Sequence, residues 1–258
     1  MNDLVAGSAV VSGAGSGIGR AIAVALAERG AAVGLVDVLP EGITELAQAL
    51  KDQGRRAATA QADVSRWDEV DRALGAVAED LGPVGILVNA AGILDGYANA
   101  DEMSPALWER VIAINLTGTF LCAKRVLPEM LARGRGRIVN IASVAGVVGS
   151  GGGAAYTASK HGVVGLTRQL AITYADRGVT INAIGPGAIT TGLRANSTRI
   201  LGADAPLMRG VGGDDAAVRA ITPAGRRGTL KKIAAAACFL ASVDAAYMTG
   251  HTLMVDKG

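Results

Sequence analysis

The stretch from Ser8 to Arg29 constrains the fold more than any other. Ser8-Ala9-Val10-Val11-Ser12 is a short β-branched run, Gly13-Ala14-Gly15-Ser16-Gly17-Ile18-Gly19 is a glycine turn, and Ala21 to Arg29 carry apolar residues at helical spacing. This reads as strand, tight turn, helix, the opening half of a βαβ unit. Such a turn lets a backbone approach a pyrophosphate closely, while the helix start supplies unpaired N–H groups and a favourable dipole. The spacing is not G-x-G-x-x-G, because positions 18 and 20 are Ile18 and Arg20. Gly13, Gly17 and Gly19 instead satisfy G-x-x-x-G-x-G.

The alternation continues to the end of the chain. Ala32 to Val36 is a continuous apolar run ending in Asp37, eighteen residues after Gly19, where a carboxylate can bind a ribose 2′-hydroxyl. Neither Ala14, Ser16 nor the residues just after Asp37 offer an Arg or Lys for a 2′-phosphate, so NAD is expected rather than NADP. Glu41 to Gln53 reads as a helix and Ala57 to Ala62 as a strand closed by Asp63 and Val64. Trp67 to Leu81 reads as a helix with Ser65 as its cap. Val84 to Val88 is a buried strand running into Asn89-Ala90-Ala91-Gly92, small residues that let a flat ligand lie across the strand ends. Pro105 to Leu131 is a long helical segment with Asn115 on its apolar face. Gly136 to Ile141 is a fifth strand with Ser143 just past its carboxyl end, the side where open parallel sheets bind ligands. A helix from Tyr156 to about Arg177, a strand over Thr180 to Ile184, and the turn Gly185-Pro186-Gly187-Ala188-Ile189-Thr190-Thr191 follow. Periodicity fails from Gly192 to about Thr222, and a substrate lid is expected over about 190–228. Leu230 to Leu240 is the last helix and Thr252 to Val255 the last strand.

Composition limits the alternatives. With 258 residues, half of them apolar, and no linker or repeat, residues 1–258 are expected to form a single α/β domain, a Rossmann-type doubly wound parallel sheet of about seven strands. Net charge is +2 with 19% charged residues and no Lys or Arg run, which argues against nucleic acid or an anionic membrane surface as a partner. No apolar run reaches the roughly eighteen residues of a membrane span. Met1-Asn2-Asp3-Leu4 lacks a secretory pattern, so a cytoplasmic location is expected. Cys122 and Cys238 lie in apolar helical patterns and read as small buried hydrophobes; His161 and His251 have no ligand-spaced companions, so no metal site is expected.

The chemistry centres on Tyr156 and Lys160, a phenol and an ammonium one turn apart on a helix face. A tyrosine titrates near pH 10 and needs its phenolate stabilised to act at pH 7. Lowering its pKa by roughly three units takes about 4 kcal/mol. Lys160 alone falls short of that unless a second positive charge, such as an oxidised nicotinamide ring, lies close by.

With these residues in place, the chain resembles a classical short-chain dehydrogenase/reductase from about residue 6 onward. Five motifs carry the resemblance: Ser12 to Gly19, Asn89 to Gly92, Asn115, Ser143 with Tyr156 to Lys160, and Pro186-Gly187. Ser12 stands where the family usually has Thr, and Ala90 where a second Asn is common. The resemblance implies that Tyr156 is the general acid/base and that Lys160 lowers its pKa and holds the nicotinamide ribose. It implies that Ser143 bonds the substrate oxygen and that Asn115 anchors a water in a proton relay. For the cofactor it implies contacts from the glycine turn (Gly13, Ser16, Gly17, Ile18, Gly19), Asp37, Ala91 and Gly92. It further puts Asp63 and Val64 on the adenine, Asn89 on the adenosine side, and Pro186, Gly187, Ile189 and Thr191 on the carboxamide. The expected activity is NAD-dependent interconversion of a secondary alcohol and a ketone by a homotetramer or homodimer. Tetramers in the family often pair through the helices that here cover about 104–132 and 156–177. The alternatives are an NADPH-linked 3-oxoacyl thioester reductase, which Asp37 opposes, and a silent nucleotide-sensing protein, which the intact Asn115, Ser143, Tyr156 and Lys160 oppose. A serine hydrolase is disfavoured because Ser143 lacks the G-x-S-x-G elbow. Arg194, Arg199 and Arg209 in the lid read either as solvated charges or as contacts for an anionic substrate.

Overall fold

Apolar strands without alternation must be covered on both faces, since either face left in water would expose β-branched side chains. The computed structural model describes residues 4–210 and 214–257. In it β1 (Ser8–Ser12), β2 (Val33–Asp37), β3 (Ala57–Gln61), β4 (Val84–Asn89), β5 (Gly136–Ile141), β6 (Val179–Pro186) and β7 (Thr252–Val255) form one parallel sheet ordered β3-β2-β1-β4-β5-β6-β7. Every residue of β1, β4, β5 and β6 is buried, and the half-buried β3 and β7 lie at the edges.

The connections are helices: α1 (Gly17–Glu28), α2 (Pro40–Asp52), α3 (Trp67–Leu81), α4 (Pro105–Ile112), α5 (Gly118–Ala132), α6 (Ala154–Tyr174), α7 (Leu193–Leu201), α8 (Asp215–Ile221) and α9 (Leu230–Leu240). On one face Ile22 and Leu26 of α1, Ile43 and Leu50 of α2 and Ile233 of α9 pack on Val11, Leu35 and Val88. On the other, Leu74 and Val77 of α3, Val111 of α4, Met130 of α5 and Leu170 of α6 pack on Val10, Leu87, Ile138 and Ile181. Each such side chain contributes roughly 1.5–3 kcal/mol on burial, so the two faces together outweigh any single cap or ion pair. β1 pairs with both β2 and β4, with Ser12 opposite Val36 on one side and Asn89 on the other. The chain therefore reverses direction beside β1, and a crevice opens there outside the carboxyl ends of the strands.

Three details depart from expectation. Ser65 does not cap α3. Its N–H and hydroxyl both bond to Asp63 Oδ1, and Arg66 takes the cap position without a side-chain bond to the helix-start N–H groups. Pro105–Ala132 is one continuous helix interrupted by a π turn at Ala113–Thr117. By length and hydropathy it could cross a membrane, yet half of its most apolar window is buried within the fold, which marks a core helix. The region 192–222 contains α7 and α8. The periodicity of α7 escapes hydropathy because its most buried residue is Ser197, a polar one. The Ser197 hydroxyl can face inward because it accepts from Leu94 N and donates to Leu193 O.

Candidate active site

The crevice is built from strand ends and the turns that leave them. Gly13 lies close beneath α1, where a Cβ on Gly19 would sit 2.1 Å from Gly13 O, so only glycine permits the turn to fold this tightly. Ser16 is the N-cap of α1 without making a side-chain cap bond, and its hydroxyl instead accepts from Asn196 Nδ2 at 2.8 Å. Gly13, Ser16, Gly17, Ile18 and Gly19 all line the crevice.

Asp37 also lines it, at the end of β2. Its Oδ2 accepts from Gly15 N at 2.9 Å and its Oδ1 from Leu39 N at 3.0 Å, so the carboxylate braces the glycine turn as well as facing the crevice. Asp63 and Val64 line the crevice beyond it. Burial pushes the Asp63 carboxyl up, but bonds from Ser65 and from Arg110, 2.8 Å away, outweigh this and hold it below the usual carboxylate range. Arg110 lines the crevice too, and no sequence pattern points to it, since it comes from α4, 47 positions along the chain from its partner.

Asn89 does not reach the crevice wall. It is buried, donating from Nδ2 to Asn140 Oδ1 at 2.9 Å, while Asn140 donates to Thr167 Oγ1 at 2.9 Å. Through these bonds Asn89 Nδ2 forms a polar tie between β4, β5 and α6, while its Oδ1 has no partner within the protein; Ala91 and Gly92 beside it line the crevice. Asn115, fully buried in the π turn, is likewise off the crevice wall. Its Oδ1 accepts from Ile93 N at 2.8 Å, and its Nδ2 donates to Ile93 O at 3.0 Å and to Ser159 Oγ at 3.1 Å. The amide is spent on these protein groups.

Ser143, Tyr156 and Lys160 meet along one wall of the crevice. α6 presents Tyr156 and Lys160 on one face, with Nζ 5.6 Å from the phenol ring centroid and donating to Ile141 O at 2.8 Å. Burial draws the Lys160 pKa down to about 8. Burial also pushes the Tyr156 phenol up to about 12, a bond with Ser143 pulls the other way, and Tyr97 and Asp95 add to the rise. The implied lowering of the phenol by Lys160 is therefore not a property of the protein by itself. There desolvation dominates, because both groups are buried, and a second positive charge is needed to reverse it. Pro186, Gly187, Ile189 and Thr191 close the same end.

The lid lies over this wall. Leu193, Asn196 and Ile200 of α7 line the crevice, and Ser197 Oγ accepts from Leu94 N at 2.9 Å. Of the three lid arginines, Arg199 pairs with Glu41 and Arg209 with Glu102, each at 2.8 Å. Arg194 donates to Met208 O and Gly210 O and lies over the Tyr97 ring at 5.6 Å. Arg199 and Arg209 thus sit in solvent-exposed surface pairs, and Arg194 is the one half-buried against the loop. The crevice as a whole suits an elongated ligand: glycine and alanine backbone along its middle, a carboxylate at one end, and a phenol, hydroxyl and ammonium at the other.

The short chain dehydrogenase family model matches residues 8–200. The chain is 43% identical over 251 residues to a cis-4-hydroxycyclohexanecarboxylate dehydrogenase of Sinomonas cyclohexanicum, covering 97% of this chain and 95% of that protein. It is 39% identical over 250 residues to the 3-oxoacyl-(acyl-carrier-protein) reductase FabG of Vibrio cholerae, covering 97% and 96%. Among solved structures, a variant actinorhodin polyketide ketoreductase with NADPH superposes with a TM-score of 0.88 at 36% identity, covering 100% of this chain and 98% of that one.

Proposed function

Because the chain belongs to the short-chain dehydrogenase family and is an oxidoreductase of alcohols and ketones, we propose that it interconverts a secondary alcohol and a ketone with NAD, using Tyr156 as the general acid/base. The observation that carries this reading is the meeting of Ser143, Tyr156 and Lys160 in the same crevice that the glycine turn lines. The donor set fits a nicotinamide dinucleotide: uncapped N–H groups at the start of α1 for the diphosphate, Asp37 for the adenosine ribose, and Lys160 for the nicotinamide ribose. Asp37 supports NAD over NADP, since its carboxylate would face a 2′-phosphate at short range, and the nearby Arg20 is engaged with Glu45 at 2.8 Å.

When bound, the cofactor supplies hydride transfer; the protein supplies orientation and the proton. Ser143 donates to the substrate oxygen. Tyr156 gives that oxygen a proton during ketone reduction and takes it back during alcohol oxidation. Lys160 would hold the nicotinamide ribose and stabilise the phenolate, and the positive charge of an oxidised cofactor would help offset the desolvation that pushes the phenol up to about 12. Asn115 holds Ile93 and Ser159 behind this group, and the proposed relay water would be bound near it.

The test is turnover of a panel of secondary alcohols, cyclohexanols first, with NAD and NADP compared at mildly alkaline pH. Oxidation with NAD favoured supports the proposal; no oxidation of any member with either cofactor sinks it. The second reading, an NADPH-linked 3-oxoacyl thioester reductase, draws on the Vibrio cholerae relative. It would show as faster reduction of a 3-oxoacyl thioester with NADPH than with NADH. A homotetramer or homodimer in the cytoplasm completes the proposal. Half-exposed Trp108 and Phe120 on the helix of residues 105–132 support assembly, and a monomer in gel filtration at micromolar concentration would remove it.

A further inference from the structure

The N-cap of helix α6 is Gly153, a residue with no side chain to satisfy the first-turn N–H groups, although the third residue of the helix is Tyr156. The missing cap comes from another segment. Asp95, in the loop after β4, is fully buried, and no cation pairs with it among the described residues. Its Oδ2 accepts from Tyr156 N at 2.8 Å, and its Oδ1 accepts from Gly153 N at 3.0 Å and Tyr97 N at 3.1 Å. A Cβ on Gly153 would lie 2.7 Å from both carboxylate oxygens and from Ala98 O, so the glycine makes room for the incoming acid.

We propose that Asp95 is a positioning residue for Tyr156, capping the catalytic helix from another segment by accepting from the N–H groups of Gly153 and Tyr156. This rests on the reading of Tyr156 as the acid/base. Three N–H donors from two segments need both carboxylate oxygens. A carboxamide or hydroxyl would leave at least one of them facing the wrong group, and a buried carboxylate survives here because all three donors compensate its lost hydration. The groups around the phenol are Asp95 and Tyr97 from the β4 loop, Ser143 from the β5 loop and Lys160 from α6 itself. Arg194 of α7 is turned onto the Tyr97 ring. Burial is the main reason the phenol keeps its proton, and the charge of Asp95 adds the smallest part of the rise; what the geometry gives Asp95 directly is the Tyr156 N–H.

Two substitutions separate the two effects. Asp95→Asn removes the charge and one acceptor. It should lower kcat by about tenfold and leave NAD affinity within about twofold. It should also move the acid limb of the pH profile for alcohol oxidation down by about half a unit. Gly153→Ala keeps the charge but displaces the carboxylate. It should lower kcat without moving that limb to lower pH. In cofactor-free protein, amide hydrogen exchange at Tyr156 should quicken in both. Tyr156→Phe is the control: if it retains activity, the acid/base reading itself fails. If it is inactive, while either soluble variant matches the parent in kcat and in exchange at Tyr156, the role of Asp95 alone is overturned. Should Asp95→Asn not fold, Gly153→Ala still decides the capping role, and NMR titration of ring-labelled tyrosine with Tyr97→Phe, against the parent, reports whether neighbouring groups set the phenol.

Discussion

Replacing Lys160 by methionine separates the cost of burying an ammonium from its use. Burial draws the Lys160 pKa from 10.5 down to about 8. Below pH 8 the folded and unfolded chains both carry the proton, and the burial penalty is present in full. Between about 8 and 10.5 the folded protein has released a proton that the unfolded chain still holds, so stability rises with pH through that window and levels off above it. For a single group this amounts to about 2 kcal/mol between pH 7 and pH 9.5. Lys160→Met has no such group. Its stability relative to the parent should therefore be greatest near pH 7 and decline by about 2 kcal/mol by pH 9.5, or about 4–8 °C in Tm. The lost bond to Ile141 O shifts the two curves by a constant but leaves their relative slope alone. Urea denaturation of cofactor-free protein at several pH values measures this directly. A difference between the two proteins that stays flat over the window would refute the premise that Lys160 is strained by burial, and with it the account of why the pair waits for a cofactor.

Other outcomes follow from the same geometry. Tyr156→Phe should reduce kcat at least about a hundredfold with NAD affinity within about twofold, measured by steady-state kinetics and fluorescence titration. Ser143→Ala removes a donor to the substrate oxygen and should lower kcat about tenfold to a hundredfold while leaving NAD affinity unchanged. Asp37→Ser should lower the NAD-to-NADP ratio of kcat/KM by at least about tenfold; an unchanged ratio would remove Asp37 from cofactor selection. Gly19→Ala forces a Cβ to within 2.1 Å of Gly13 O and should cost about 3 kcal/mol or more, seen as a lower urea midpoint and weaker NAD binding.

Much of the architecture is legible in the sequence because it rests on short-range periodicity. The seven strands, the helix from Trp67 to Leu81 and the glycine turn follow from where apolar and glycine residues fall along the chain, and both the run lengths and the turn restrict backbone geometry locally. The pairing of Tyr156 with Lys160 is equally plain, since one helical turn separates them whatever surrounds the helix. Tertiary structure alone decided which polar groups meet across long loops. Asp95 caps α6 through Tyr156 N, 61 positions away, Arg110 reaches Asp63 across 47 positions, and Asn196 reaches Ser16 across 180. It also decided that Asn115 spends its amide inside the protein while Asn89 bonds Asn140 through Nδ2 alone, and that the phenol beside Lys160 rises instead of falling. The reason is physical: desolvation and hydrogen-bond partnership depend on what packs against a group in three dimensions, and neither leaves a periodic mark in the order of residues.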